Sequence, residues 1–240
     1  MIHTVSETGS TNADLLTALT AGEVWPEGDW LVADRQVAGR GRQGRDWYDG
    51  SGNFMGSTVV QLAPNDPSPA SLALVAGLAV YETVLPVLPD PSALRIKWPN
   101  DLTIAAAKLA GILLERQNNA VVVGIGLNLR SAPKLTDRPT ISLSELTPAP
   151  DRDSFARNLA RSFTQELARW RNFGLEVTVR RWEAAAHPVG TGLTVAPPGE
   201  APLGGKFDGL TPDGALRLRL ADGVSRVIHA GDVMFAGQES

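Results

Sequence analysis

No cysteine occurs anywhere in the 240 residues. Disulfides, thiolate metal sites and a cysteine nucleophile are therefore excluded, and such a chain fits a reducing compartment. Histidine is nearly as scarce: His3, His187 and His229 are scattered too widely to give metal-ligand spacing. Positive charge is not in surplus either. Lysine and arginine total 22 against 26 acidic residues, a formal net charge of -4, which disfavours general affinity for nucleic acid. The stretch Met1–Glu7 has no basic region followed by an apolar run, so no signal peptide is expected. The longest apolar stretch, residues 70–85, is broken by Ser71, Glu82 and Thr83 and is too short to span a bilayer. No Walker lysine motif, nucleophile elbow, kinase signature or internal repeat is present. These absences lead to the expectation of a cytoplasmic protein without membrane association. Apolar residues make up 43% of the chain, enough for a packed core, and the length suits one large domain with a small one.

Against this acidic background, Gly39-Arg40-Gly41-Arg42-Gln43-Gly44-Arg45 concentrates cations, with Arg35 upstream and Trp47 just downstream. Glycine lets the backbone bend and approach a ligand closely. Arginine supplies a planar fork of donors matched to phosphate or carboxylate. Interleaved, the two make a loop able to fold over an anion. A solvated loop, or a segment binding nucleic-acid phosphates, has the same composition.

The rest of the chain reads as an α/β (α+β) protein. Thr11 or Asn12 caps a short helix carrying Leu15, Leu16 and Leu19 and ended by Gly22. Trp30–Ala33 and residues 54–62 read as strands, and residues 70–85 as a helix. Leu94–Trp98 reads as a strand stopped by Pro99, so that Asn100 and Asp101 project from a turn. Residues 108–115 and 120–129 form a hairpin around Asn118-Asn119. Phe155, Leu159, Phe163, Leu167 and Trp170 recur at helical spacing between Asp151 and Gly174, and a further short helix covers residues 176–186. From His187 onward glycine and proline punctuate short segments, and Leu216, Leu218 and Leu220 alternate with Arg217 and Arg219. The expected organisation is a main domain over residues 1–186 and a small all-β unit over 187–240.

Three further segments carry candidate chemistry. Lys97-Trp98-Pro99-Asn100-Asp101 places polar groups at a strand end, and the same residues make a good turn in any protein. Lys108 opens the apolar strand Lys108–Glu115. It is either an edge charge in water or an ammonium at a pocket mouth, with Gly111 thinning the strand beneath a ligand. In Gly124-Ile125-Gly126-Leu127-Asn128 two glycines make room for something. No third glycine and no strand-to-helix transition follow, so a Rossmann reading fails.

Taken in order, these segments resemble the biotin protein ligase family. The matching pieces are Glu7-Thr8-Gly9-Ser10-Thr11-Asn12, residues 36–47 from Gln36 to Trp47, Lys97–Leu102, Lys108–Leu113 and Gly124–Asn128. The resemblance runs from about residue 4 to the C-terminus. It implies a mixed sheet flanked by helices, related to class II aminoacyl-tRNA synthetases, and a C-terminal SH3-like β-barrel. It also implies two steps. Biotin and MgATP give biotinyl-5′-AMP and pyrophosphate, and the acyl group passes to one lysine of a biotin carboxyl carrier protein or domain. By the resemblance, Lys108, Arg42 and Asp101 carry the chemistry. Ser10, Thr11, Gln36, Gly39, Arg40, Lys108 and Gly111 hold biotin. Arg40, Arg42, Arg45, Trp47, Asn100 and Asn128 hold the nucleotide. Asp101 orients either the acceptor lysine, the favoured role, or a Mg²⁺ that otherwise arrives with ATP. Ala105-Ala106-Ala107 departs from the glycine or polar turn expected ahead of Lys108. Ser10-Thr11-Asn12 begins so early that no winged helix-turn-helix is expected before it, hence no DNA partner. A monomer or weak homodimer is expected. The rival readings are a lipoate-protein ligase or octanoyltransferase of the same fold, and a nucleic-acid-binding module using the Arg/Gly loop.

Overall fold

A computed structural model gives the structure of residues 1–136 and 138–237, so the last residues of the 187–240 unit lie outside the described residues. Runs of β-branched residues build the frame. Strands β1 (Ile2–Val5), β2 (Trp30–Ala33), β3 (Phe54–Gln61), β4 (Leu94–Lys97), β5 (Asp101–Ile104), β6 (Ala107–Gln117) and β7 (Ala120–Leu127) form one sheet in the order β1-β2-β3-β7-β6-β5-β4. Only β1 and β2 run parallel, so the sheet is mixed as expected.

Period-two alternation gives the sheet two different faces. One face, with Val60, Ile96, Ile112 and Val123, is covered by α2 (Leu72–Val84) and α3 (Arg152–Ala185). Trp30, Phe54, Phe155 and Phe163 meet there at ring-centroid distances of 5.4–6.1 Å. The run Pro69–Val87 is long and apolar enough to cross a membrane by length and composition alone, but here it is the buried core helix. The other face carries α1 (Thr11–Thr20), whose Leu15 packs on Leu31, Val59 and Val122. Toward the far end of that face the positions become Ser57, Gly111, Gly124 and Gly126. Too few side chains fill the space there, and a cavity opens.

Several local readings are corrected. Ser10, rather than Thr11 or Asn12, is the N-cap of α1, and both of the latter are buried in its first turn. Asp101 does not project from a turn. After the cis Trp98–Pro99 peptide the chain turns straight into β5, with Asp101 as its buried first residue. The parallel edge strand β1 carries only four residues with the burial pattern of an edge, too weak a signature to read from sequence. The long helix and the short one after it follow without a loop. Gly174, at φ 76° and ψ -179°, breaks the run in place, and Glu166 ties Arg169 before the break to Arg181 beyond it.

From Gly192 a five-stranded antiparallel sheet follows. Its strands are β8 (Gly192–Ala196), β9 (Leu203–Leu210), β10 (Leu216–Arg219), β11 (Ser225–Ile228) and β12 (Asp232–Phe235), in the order β11-β10-β9-β8-β12. The alternation in β10 is as read: Leu216 and Leu218 are buried, Arg217 and Arg219 exposed. This sheet is fastened to the β4 end of the first sheet and to α3 by polar contacts. Trp98 Nε1 donates to the Gly214 carbonyl at 3.1 Å, Lys97 Nζ to the Val233 carbonyl at 2.9 Å, and the Leu210 N–H to Glu183 at 2.7 Å. His187 sits in the seam, its Nε2 3.0 Å from Thr103 Oγ1 and its ring 4.6 Å from that of Phe235.

Two outcomes follow from this frame. Ala105 and Ala106 form the two-residue β5–β6 loop with φ of 46° and 70°, a primed turn that favours Asn-Gly. Replacing them by Asn-Gly should stabilise the protein by about 1–2 kcal/mol in denaturant unfolding; no gain would refute the turn assignment. Burial, helped by Lys97 and Arg95, pushes His187 from 6.5 down to about 4. The unfolded chain therefore takes up this proton first, so stability is intact above pH 6.5 and is lost as pH falls toward 4. With allowance for its partial exposure the loss is about 2 kcal/mol. His187→Gln should flatten that slope, and an unchanged slope would remove His187 as its source.

Candidate active site

The cavity holds about 740 Å³, and its walls include the α1 face of the sheet with the start of α1, the Gly/Arg loop, the turn at residues 98–100, Pro133, Leu135, Arg138 and Thr140 after β7, and residues 232–234 of the C-terminal sheet. Twelve of the residues expected to act here line it: Ser10, Thr11, Gln36, Arg40, Arg42, Arg45, Trp47, Asn100, Asp101, Lys108, Gly111 and Asn128. Gly39 does not. It is buried beneath the loop, where a Cβ would press on Gln36 Nε2 at 3.1 Å and the Trp47 carbonyl at 3.2 Å. Its smallness serves the packing of the loop on itself.

One end of the cavity is lined by uncharged donors and acceptors, backed by the Glu115 carboxylate. The Thr11 N–H and hydroxyl both donate to Gln36 Oε1, at 2.7 and 3.0 Å. Ser57 Oγ lies 2.7 Å from Thr11 Oγ1 and donates to Asn12 Oδ1 at 2.6 Å, while Asn12 Nδ2 donates to Glu115 at 2.7 Å. Ser10 makes no side-chain capping bond and borders the cavity. Asn12 and Ser57 belong to this site, and reasoning on the sequence passed over them. The signal for Asn12 was Gly124, where a Cβ would stand 2.2 Å from Asn12 Oδ1. One of the two unexplained glycines thus makes room for a side chain of the protein itself.

The other glycine does the same. Gly111 and Gly126 face each other across β6 and β7, and together they form a flat bed on which the Trp47 indole lies. A Cβ at Gly126 would stand 2.2 Å from Trp47 Cε2, and one at Gly111 3.0 Å from Cζ3. The bed expected under a ligand at Gly111 is therefore covered by Trp47, which anchors the loop to the sheet. Its Nε1 is buried without a partner in the protein, and Lys108 Nζ lies 5.7 Å from the ring centroid.

The opposite end is ionic. The Asp101 carboxylate lies between Lys108 Nζ, 2.6 Å from Oδ1, and Lys97 Nζ, 3.4 Å from Oδ2. Burial alone would raise its pKa, but the two ammonium groups outweigh it and hold the carboxyl below the usual range. Burial lowers Lys97, with Asp101 opposing. Arg42 donates to Asn100 Oδ1 at 3.2 Å and to the Gly231 carbonyl at 3.3 Å, and Asn100 Nδ2 donates to the Ile112 carbonyl at 2.7 Å. Arg45 pairs with Asp232 of the C-terminal sheet, so it is tied to protein as well as bordering the cavity. Arg40 is exposed at the rim. Asn128 donates to the Ile141 carbonyl at 3.2 Å and leaves its buried Oδ1 without a protein partner. Such a site accepts a bulky polar group at one end and anionic groups at the other.

Comparison with known proteins bears on the family and the fold. Residues 8–130 match the Biotin/lipoate A/B protein ligase family and residues 197–235 the Biotin protein ligase C terminal domain. The chain is 36% identical over 237 residues to a biotin--[acetyl-CoA-carboxylase] ligase of Mycobacterium tuberculosis, covering 97% of this chain and 88% of that one. It is also 36% identical over 244 residues to the ligase of the same name from Paracoccus denitrificans, covering 97% and 100%. Among solved structures, the biotin protein ligase from Aquifex aeolicus in complex with biotin and ATP matches with a TM-score of 0.85 at 25% identity, covering 98% of this chain and 99% of that one.

The glycine bed yields a direct test. Gly126→Ala should lift Trp47 from the sheet, shifting tryptophan emission to the red and increasing acrylamide quenching. The same substitution in a Trp47→Phe background should have little optical effect. An unchanged spectrum would mean that the indole does not rest there.

Proposed function

We propose, since this chain belongs to the biotin protein ligase family, that it joins biotin to ATP as biotinyl-5′-AMP and then transfers biotin to a lysine of a carrier domain. The observation that carries this reading is the convergence of Lys108, from a strand, and Arg42, from the loop, on Asn100 and Asp101 beside an uncharged polar pocket.

In the first step a biotin carboxylate oxygen attacks the α-phosphorus and pyrophosphate leaves. Two anions must approach, and Lys108, Arg42, Arg40 and Arg45 offset their repulsion and the charge developing at phosphorus. Ser10, Thr11 and Gln36, with Asn12 and Ser57 behind them, suit the ureido group. The free Asn128 Oδ1 suits the adenine amino group. Among the described residues Mg²⁺ finds no seat of its own. Asp101 is flanked by two ammonium groups, and among the described residues no three histidines or carboxylates cluster. The ion would enter with the nucleotide phosphates.

In the second step the acceptor ammonium gives one proton to water, and the resulting amine attacks the acyl carbon. AMP leaves with the electron pair of the acyl–oxygen bond, and the surplus ammonium proton of the adduct passes to water. Asp101 stays ionised and so attracts the incoming ammonium. An acyl-adenylate hydrolyses in water, and the Gly/Arg loop anchored by Trp47 serves as its cover. We assign the catalytic part to residues 1–186 and the C-terminal unit to residues 187–240, in a cytoplasmic enzyme.

Biotin-dependent ATP–pyrophosphate exchange, followed by transfer of labelled biotin to an acceptor domain, tests the function. Exchange with lipoate in place of biotin would select the rival reading. Lys108→Ala should slow exchange by about 10²–10³-fold, the usual cost of one donor aimed at developing charge. Exchange within tenfold of the parent would take Lys108 out of the mechanism.

A further inference from the structure

We infer that Lys97 is a positioning residue, a buried ammonium that keeps Asp101 ionised and in place when Lys108 turns to the ligand. The inference rests on the ligase reading and deepens it. Lys97 Nζ is held from three sides: by the Val233 carbonyl at 2.9 Å, by Asp101 Oδ2 at 3.4 Å, and by the Phe235 ring at 5.5 Å from its centroid. Two of these three anchors belong to β12 rather than to the reacting groups. They hold Lys97 by contacts that do not involve Asp101.

Lys108 is placed differently. Both ammonium groups border the cavity, but Lys108, 2.6 Å from Asp101 Oδ1, lies beside the Trp47 indole, whereas Lys97 is held on β12. A carboxylate or phosphate oxygen arriving there competes with Asp101 for it. Asp101 is only 7% exposed. Were Lys108 its sole ammonium partner, Asp101 would become an uncompensated buried charge whenever Lys108 turned away, which a protein avoids by protonating the carboxylate or by keeping the partner. Either response harms the reaction: a neutral Asp101 no longer attracts the acceptor ammonium, and a retained Lys108 no longer serves the ligand. Lys97 removes the conflict by staying behind. The charged groups around this pair are Lys108 from β6, Arg42 from the loop, Arg138, and His187 in the seam.

The test compares Lys97→Gln, which keeps a donor for the Val233 carbonyl but no charge, with Lys97→Arg, which keeps the charge. In the whole chain with ¹³C-carboxyl aspartate, Asp101 should titrate about one pH unit higher or more in Lys97→Gln and near the parent value in Lys97→Arg. Single-turnover transfer from supplied biotinyl-5′-AMP to an acceptor domain should fall about 30-fold in Lys97→Gln and less than about threefold in Lys97→Arg. In an Asp101→Asn background, Lys97→Gln should add less than about threefold. An unmoved Asp101 titration, or a loss that persists in full in the Asp101→Asn background, would overturn the inference. If the parent transfers no label, the ligase reading falls, while the titration still decides whether Lys97 governs Asp101.

Discussion

Asp101 stands where segments distant in sequence meet: β4 brings Lys97, β6 brings Lys108, and the Gly/Arg loop brings Arg42 by way of Asn100. Three cations packed this closely would repel one another and draw in water. The buried carboxylate among them makes the cluster tolerable, and the cations in turn keep that carboxylate ionised. The surplus of positive charge left over is what the cavity presents to an anionic ligand. The rest of the site is arranged around this balance, with uncharged hydrogen-bonding groups at the far end and an indole between.

The glycines show how a sheet can be shaped for a ligand without touching it. Gly124 accommodates Asn12, and Gly111 with Gly126 accommodates Trp47. In both cases a strand gives up side-chain volume so that a residue from another element can reach inward. The site is consequently lined by side chains whose own positions are fixed by packing against bare backbone. Such support restricts their rotation more firmly than contact with flexible neighbours would.

Much of this was readable from residue patterns. The β6–β7 hairpin, the core helices and the break at Gly174 follow from periodicity and from turn chemistry, which act locally. The twelve cavity residues were found because their types in that order resemble a known family, not because periodicity points to them. What escaped was non-local. Nothing around Ser57 distinguishes it from an ordinary strand residue, and Asn12, though it ends the Glu7–Asn12 motif, shows no role until Gly124 is placed opposite. Asp101 looked like a turn residue because Pro-Asn-Asp favours turns. Pairing with Lys97 on β4 and Gly111 on β6 makes it the start of a strand. The alanine turn at Ala105-Ala106 runs against local preference and is held by the strands on either side.

The Gly/Arg loop is fastened to the small C-terminal sheet through Arg42 on the Gly231 carbonyl and Arg45 on Asp232. The two sheets are thus not interchangeable modules. A chimera that kept every catalytic side chain but borrowed its terminal sheet from a distant homologue would inherit foreign moorings for the loop. The contacts that hold the loop beside the cavity would change even though the side chains of the first sheet did not.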